Sequence, residues 1–335
     1  MRRYIEKILS KLVSSLSIDE LRFVDKKLHL AMPQYANKQY QEHQHYFYWE
    51  NQVDYWQALP SPIRPSSGDI FIYKNFLSHS RRHLGPIKNV LLLGSTPELR
   101  DLLATLPGAR IYIADFSYRM SMAMLRFTEA ADPLKETWVK ANWLELPFPE
   151  NFFDVILGDL VLQQFPSELE QEFLGKIGAL LGGGGSLISR FHFLDDEARG
   201  GDISSVIKKT LNTPLGGNEK FILLKLRILW LFADPSARIL HREISAAEFK
   251  KFVEAENIKD PIVKRALRAS LADKASYRSW SPPLEAELEK ILEVNFNIEN
   301  KGVAKDYEEA RIYPIFSLTR KPKLELPTED FLPGA

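Results

Sequence analysis

The 335-residue chain contains no cysteine. That excludes a disulfide framework, thiolate zinc sites, iron–sulfur clusters and a cysteine nucleophile together. It also lacks an excess of either charge. Lys plus Arg and Asp plus Glu both number 44, so no global field attracts nucleic acid or an anionic membrane. A long apolar run is missing too: the most apolar stretch, FILLKLRILWLF at 221–232, is too short to span a bilayer and is interrupted by Lys225 and Arg227. The opening MRRYIEKILSKLVSSL places Ile5, Ile8, Leu9, Leu12, Val13 and Leu16 at helical spacing, with charges between them. It reads as an amphipathic helix and not as a signal peptide. There is no repeat of fixed period, and no H-E-x-x-H, G-x-S-x-G or Ser-His-Asp order. What remains, 45% hydrophobic and 26% charged, matches an ordinary folded domain. The expectation is a soluble, cytoplasmic protein with a small-molecule partner, no nucleic acid and no membrane, a homodimer being left open.

The texture of the chain changes along its length. Residues 1–85 read as an N-terminal helical and aromatic extension, with the aromatic stretch YQEHQHYFYWENQVDYW at 40–56 and the turn-rich LPSPIRPSSGD after it. Residues 86–194 alternate short apolar runs (NVLLLG, ARIYIADF, TWVKAN, FDVILGD, SLISRFHF) with helical patterns. That is the rhythm of βαβ units, and strands joined by crossover helices make a parallel sheet. GGGG at 182–185 reads as a C-cap and tight turn. Residues 195–282 lose the strand signal and read as a helical cap insertion. The sheet pattern resumes over 283–322, and 323–335 read as a flexible tail. The fold class expected is therefore α/β: a Rossmann-like, doubly wound, mostly parallel sheet with an N-terminal helical extension and a helical cap.

In such sheets ligands bind beyond the carboxyl ends of the strands, which puts Gly94, Ser95 and Thr96 in the crevice. The loop has one glycine, not the G-x-G-x-x-G of a dinucleotide site. It also carries Glu98 in the first helical turn, where a carboxylate repels a diphosphate and suits a cation; Ser95 and Glu98 have capping-box spacing. A phosphate-free, positively charged nucleoside cofactor is preferred, and S-adenosylmethionine fits. Asp115 lies 21 positions after Gly94, the spacing at which a carboxylate binds a ribose diol. Asn142 and Trp143 offer an amide for an adenine edge and a ring for its face. Asp159 and Leu160 end the fourth strand, where a reacting methyl group is expected.

These residues resemble class I S-adenosylmethionine-dependent methyltransferases, in particular a bacterial branch whose first loop reads G-x-T-P-E-L-R after an R-P-S-x-x-D segment. Here they stand as GSTPELR (94–100) and RPSSGD (64–69); Asp115, Ser117 and Met120 match a D-x-S-x-x-M element, and FDVILGD a hydrophobic F-D-V strand. The likeness covers roughly 60–195 well and the final strands loosely. It implies that Gly94, Ser95 and Thr96 line the methionine part of the cofactor, Asp115 its ribose, Phe116 and Met120 flank adenine, Asn142 and Trp143 hold its edge and face, and Asp159 and Leu160 border the sulfonium. The chain departs from the pattern in its single loop glycine and in Asn142, which stands where an acidic residue is common.

For the acceptor, the sequence offers Tyr48, Trp49 and Arg64 as substrate contacts, and His192 or Asp159 as a proton acceptor in catalysis. No metal is expected: His79 and His83 have HxxxH spacing but no third ligand. The run KKFVEAENIKDPIVKRALR reads as solvated amphipathic helix. The function expected is methyl transfer to an O or N nucleophile of a small molecule. The rivals are a catalytically inactive methyltransferase-like binding module, suggested by the poor glycine content of the loop, and an NAD-dependent oxidoreductase, which shares the crossover rhythm.

Overall fold

The computed structural model describes Trp56, residues 59–272 and residues 281–321. The expected N-terminal amphipathic helix, most of the aromatic segment with Tyr48 and Trp49, and the 323–335 tail lie outside the described residues.

The RPSSGD segment starts the first helix, α1 (Ser67–Leu84), with a reciprocal cap: Ser66 accepts from the Asp69 amide, and Asp69 accepts from the Ser66 amide. Gly85, at φ +77°, ends it. The expected alternation then follows: β1 (Asn89–Leu93), α2 (Pro97–Ala104), β2 (Arg110–Asp115), α3 (Tyr118–Met124), β3 (Glu136–Lys140), β4 (Phe153–Asp159), α4 (Ser167–Leu180) and β5 (Leu181–Arg190). Four helices and a minimal hairpin come next: α5 (Asp196–Arg199), α6 (Ile203–Leu211), α7 (Gly217–Leu231), β6 (Ala233–Asp234) with β7 (Ile239–Leu240), and α8 (Arg242–Ala255). The described chain closes with α9 (Pro261–Ala272), α10 (Glu285–Glu293), β8 (Phe296–Gly302) and β9 (Ile315–Arg320).

The seven large strands form one sheet in the order β3-β2-β1-β4-β5-β9-β8. β1 to β5 are parallel, and β9 runs antiparallel to both of its neighbours. The sheet is a Rossmann-like doubly wound sheet. The central strand β1 is apolar along Val90–Leu93 because both faces are covered: Val90 and Leu92 point into a core with α1 and α2, Leu91 and Leu93 into one with α4 and α10. The order reverses between β1 and β4, which opens a crevice beyond their carboxyl ends.

The glycine run is not a turn between helix and strand. Leu180 passes directly into β5, and Gly182–Gly185 form an irregular stretch where the register against β4 shifts between Phe153 and Val155. A Cβ on Gly185 would sit 3.0 Å from three carbonyl oxygens, so this close backbone approach requires glycine. Helices α6 to α9 enclose a small core of their own, with Leu224, Ile228, Phe249 and Val263. No helix among the described residues is long and apolar enough to cross a membrane.

Candidate active site

A cavity of about 780 Å³ lies between the ends of β1, β2 and β4 and the helical layer. Its floor is sheet and loop: Gly94, Ser95, Thr96, Asp115, Phe116, Met120, Asn142, Trp143, Asp159, Leu160 and His192 all line it. Every cofactor and catalytic residue expected from the sequence thus converges on one space. Arg64 does not. Glu98 takes its guanidinium, Nε donating to Oε1 at 2.8 Å, and Nη1 donates to the Trp56 carbonyl, so a buried-side ion pair occupies the group expected to clamp substrate.

The same pair changes the role of Glu98, which is not among the cavity-lining residues. Ser95 and Glu98 form no capping box either. The helix begins at Pro97 behind Thr96, and Ser95 Oγ donates to Asp115 Oδ2 at 2.8 Å. The negative charge facing the cavity floor comes instead from Asp115 and Asp159. Asp115 Oδ1 accepts from the Ser117 amide at 2.9 Å, and each oxygen keeps a further lone pair. Burial pushes Asp115 up to about 6 against these hydrogen bonds.

Gly94 has φ +84°, and its amide donates to Ala114 O. Trp143 lies beneath it: the indole Nε1 also donates to Ala114 O at 2.8 Å, and Cζ2 is 3.7 Å from where a glycine Cβ would stand. Trp143 therefore braces the loop as well as lining the cavity. Asn142 Oδ1 accepts from the Leu144 amide and caps the short turn Trp143–Glu145.

Asp159 belongs to a buried network that sequence reasoning missed. Arg190, fully buried on β5, grips it with two bonds, Nε to Oδ1 at 2.7 Å and Nη2 to Oδ2 at 3.0 Å, and reaches Asp69 Oδ2 at 2.9 Å and the Tyr307 hydroxyl at 3.3 Å. Tyr73, which burial keeps protonated, donates to Gly158 O at 2.6 Å and accepts from the Arg190 amide. Two carboxylates share one guanidinium, so the network retains negative charge, and burial pushes Asp159 up to about 6 even against Arg190. A lone arginine in the apolar strand SLISR was the available signal, because a buried guanidinium demands acids. Leu160 follows at φ +54°, a sparsely populated conformation for a non-glycine residue, at the crevice edge.

His192 extends beyond β5, where Phe191 and Phe193 amides bond to Pro314 and Ile312 carbonyls. Its ring stacks on Tyr313 at 4.1 Å and 10°, and buried Nε2 has no partner. Burial, then Arg190, push it down to about 3. It is neutral and weakly basic, which disfavours proton uptake.

The roof was expected as a helical cap, but none of its lining residues was. Phe221, Lys225 and Leu229 lie on the cavity face of α7, and Arg238, Arg242 and Arg265 arrive from three further segments. The signal for Lys225 was a cation inside FILLKLRILWLF; its neighbour Arg227 points elsewhere, into buried Glu309. Among the described residues no cluster of three potential ligands could hold a metal.

The donor set on the floor fits a cationic nucleoside: two carboxylates, no cation among the described residues that line it there, a single-glycine loop and an aromatic wall. Comparison with known proteins bears on this. Residues 93–189, from the end of β1 to β5, match the family model described as methyltransferase domain. No curated protein matches the chain. Among solved structures, a Rhodobacter sphaeroides protein named, provisionally, as a zinc-dependent alcohol dehydrogenase is 17% identical, with 82% of this chain and 97% of that chain covered and a TM-score of 0.50. At that identity the likeness shows the fold alone. The 1,6-didemethyltoxoflavin-N1-methyltransferase of Burkholderia thailandensis, with bound 1,6-didemethyltoxoflavin and S-adenosylhomocysteine, is 15% identical, with 74% of this chain and 77% of that chain covered and a TM-score of 0.42. The magnesium protoporphyrin IX methyltransferase of Synechocystis with bound S-adenosylhomocysteine is 14% identical over 81% and 95% (TM-score 0.44).

Proposed function

We propose that the chain is a class I S-adenosylmethionine-dependent methyltransferase of the bacterial branch marked by GSTPELR and RPSSGD, acting on an O or N nucleophile of a small molecule. The carrying observation is the acidic, phosphate-averse floor at the switch point of a sheet whose central strands match a methyltransferase domain.

S-adenosylmethionine, when bound, supplies an electrophilic methyl group on a cationic sulfur. Asp115 holds the ribose end, with its carboxylate preset by Ser95 and Ser117. Phe116, Met120 and Trp143 offer apolar and aromatic surface to the base, and Asn142 its edge. Asp159, locked by Arg190, sets a negative potential at the end of β4 that favours a sulfonium over a neutral sulfur. Leu59, Ile222 and Leu226 help close the space against water. Positioning supplies most of the acceleration, since presenting two reactants in register lowers a barrier by about 7–11 kcal/mol. His192 serves by hydrogen bonding and stacking, and the buried Asp159 carboxylate is the stronger base of the two.

Calorimetric titration with S-adenosylmethionine, S-adenosylhomocysteine and NAD tests the reading. Binding of the first two and not of NAD is expected; NAD binding alone would replace it with the oxidoreductase, and cofactor binding with no methyl loss across a broad panel of acceptors would leave an inactive binding module.

A further inference from the structure

The clamp beneath the floor carries one more charge than its folding requires. Arg190 is fully buried on β5, and Asp159 already meets it with both oxygens, accepting from Nε at 2.7 Å and from Nη2 at 3.0 Å. Such a pair is neutral. A second carboxylate, Asp69 on α1, is nevertheless held against the same guanidinium, its Oδ2 accepting from Nη1 at 2.9 Å, and it is fully buried as well. Two acids on one guanidinium leave a negative charge in the interior, which folding alone disfavours.

Elsewhere in the fold one acid is enough. Arg100, likewise fully buried, is met by the two oxygens of Glu136 and by a carbonyl, Nη1 donating to Ser121 O at 2.6 Å. Nor do the other bonds of Asp69 call for a charge. Its Oδ2 accepts from the Ser66 amide at 2.9 Å, and the Tyr307 hydroxyl donates to Oδ1 at 3.4 Å. An asparagine would make equivalent contacts, its oxygen accepting from the amide and from Nη1 and its nitrogen donating to the Tyr307 oxygen. What asparagine lacks is the charge. Asp69 also closes the RPSSGD segment, whose Arg64 pairs with Glu98 of GSTPELR, so both ends of that segment are bonded to elements that carry the cavity.

We propose that Asp69 is a positioning residue for the cofactor: it is not among the described residues that line the cavity, but through Arg190 it gives the Asp159 end of the floor its net negative charge and so sets the preference for a sulfonium over a thioether. The proposal rests on the methyltransferase reading for the identity of the cation. The charged and titratable groups facing Asp159 are Arg190 on β5, Asp69 and Tyr73 on α1, Glu98 on α2, and Tyr307 and Tyr313 from the β8–β9 connection. Glu98 is paired with Arg64, and burial keeps the three tyrosines protonated, so Asp69 is the acid whose charge has no counterpart. Burial first, and after it the charges of Asp69 and Glu98, raise Asp159 to about 6 against Arg190. Without the Asp69 charge, Asp159 and Arg190 balance each other and offer a cation at the end of β4 no net attraction.

The test compares S-adenosylmethionine with S-adenosylhomocysteine, which differ by a methyl group and the positive charge it creates, by competition calorimetry on the full chain from about pH 5 to about pH 8. Asp69→Asn should lower the ratio of the two affinities about fivefold or more at about pH 8, with S-adenosylhomocysteine affinity within about twofold of the parent. Losing a neighbouring negative charge also makes Asp159 easier to ionise, so the midpoint of the ratio's pH dependence should move below the parent's value of about 6. Tyr307→Phe keeps both carboxylates and should leave the ratio within about twofold. Saturating S-adenosylhomocysteine during preparation supports the variants by mass action, and Asp69→Ser takes the place of Asp69→Asn if the amide does not fold. An unchanged ratio or an unmoved midpoint in the Asp69 variant overturns the proposal, as does an equal fall in Tyr307→Phe, which would make the network's integrity and not its charge the cause. A parent protein that binds neither cofactor would sink the methyltransferase reading itself, so the two failures are distinguishable.

Discussion

On the floor of the cavity, charge is fixed by the backbone and by buried partners: Asp115 is aimed by the Ser117 amide and Ser95, and Asp159 by the two-pronged grip of Arg190, which is itself held by Asp69 and Tyr307. The roof is built mainly from helices whose small core is separate from that of the sheet, and its lining side chains come from α7, the β6–β7 connection, α8 and α9. The first arrangement suits a ligand that never changes, because the cost of orienting each group is met in folding and not in binding. The second is a layer that a family can vary without disturbing the sheet.

The sharpest way to break this contrast is to remove the clamp under the floor. Arg190→Met leaves Asp159 and Asp69 buried without their guanidinium, and stability should fall by about 3–5 kcal/mol in urea denaturation. A loss under about 1 kcal/mol, the range of an exposed pair, would mean that the clamp does not hold the floor as a buried ion pair. Asp115→Ala comes next. It should weaken S-adenosylhomocysteine by about 1–3 kcal/mol in calorimetry, and unchanged affinity would remove the ribose assignment. Gly94→Ala should cost about 1–2 kcal/mol of stability, since φ is +84° while the added methyl meets Trp143 only at ordinary contact distance. A neutral result would show that the loop relaxes to accommodate the methyl group.

Much of the floor was legible because it depends on local backbone rules: a glycine at a strand end and an acid at the next strand end. What failed there was partner assignment. Glu98 and Arg64 looked like ligand groups one by one, and they neutralise each other across 34 positions of sequence. The partners of Arg190 were invisible for the same reason, its acids lying 31 and 121 positions away. The roof was legible only as helix. The run containing Arg265 reads as a solvated face, and most of it is exposed; only packing against α7 shows which of its cations meets the cavity.

pH sharpens the comparison from another side. Asp115 and Asp159 both ionise at about 6, above the ordinary carboxylate range, because burial favours their neutral forms. Above that value both are charged and attract a sulfonium; as pH falls through it they take up protons and the attraction is lost. The preference for S-adenosylmethionine over S-adenosylhomocysteine should therefore shrink several-fold on acidification through about 6. The ratio of the two cofactor affinities against pH is the measurement; a flat ratio would detach the floor's charge from cofactor choice.

The smallest effect is expected at the seam between floor and roof, at His192. Were it the general base, its removal would cost about 10²–10⁴ in rate. Burial and the nearby Arg190 push the imidazole down to about 3, so its conjugate acid forms only at the expense of a buried second cation. His192→Asn, which keeps a hydrogen-bonding group beside Tyr313, should lower kcat by less than about tenfold and leave no missing inflection in the rate profile between about pH 5 and about pH 8. The larger change should fall on KM for the acceptor, since the unpartnered Nε2 contributes by positioning. A hundredfold loss of kcat at constant KM would instead make His192 the proton acceptor, and the seam would then belong to the chemistry of the floor.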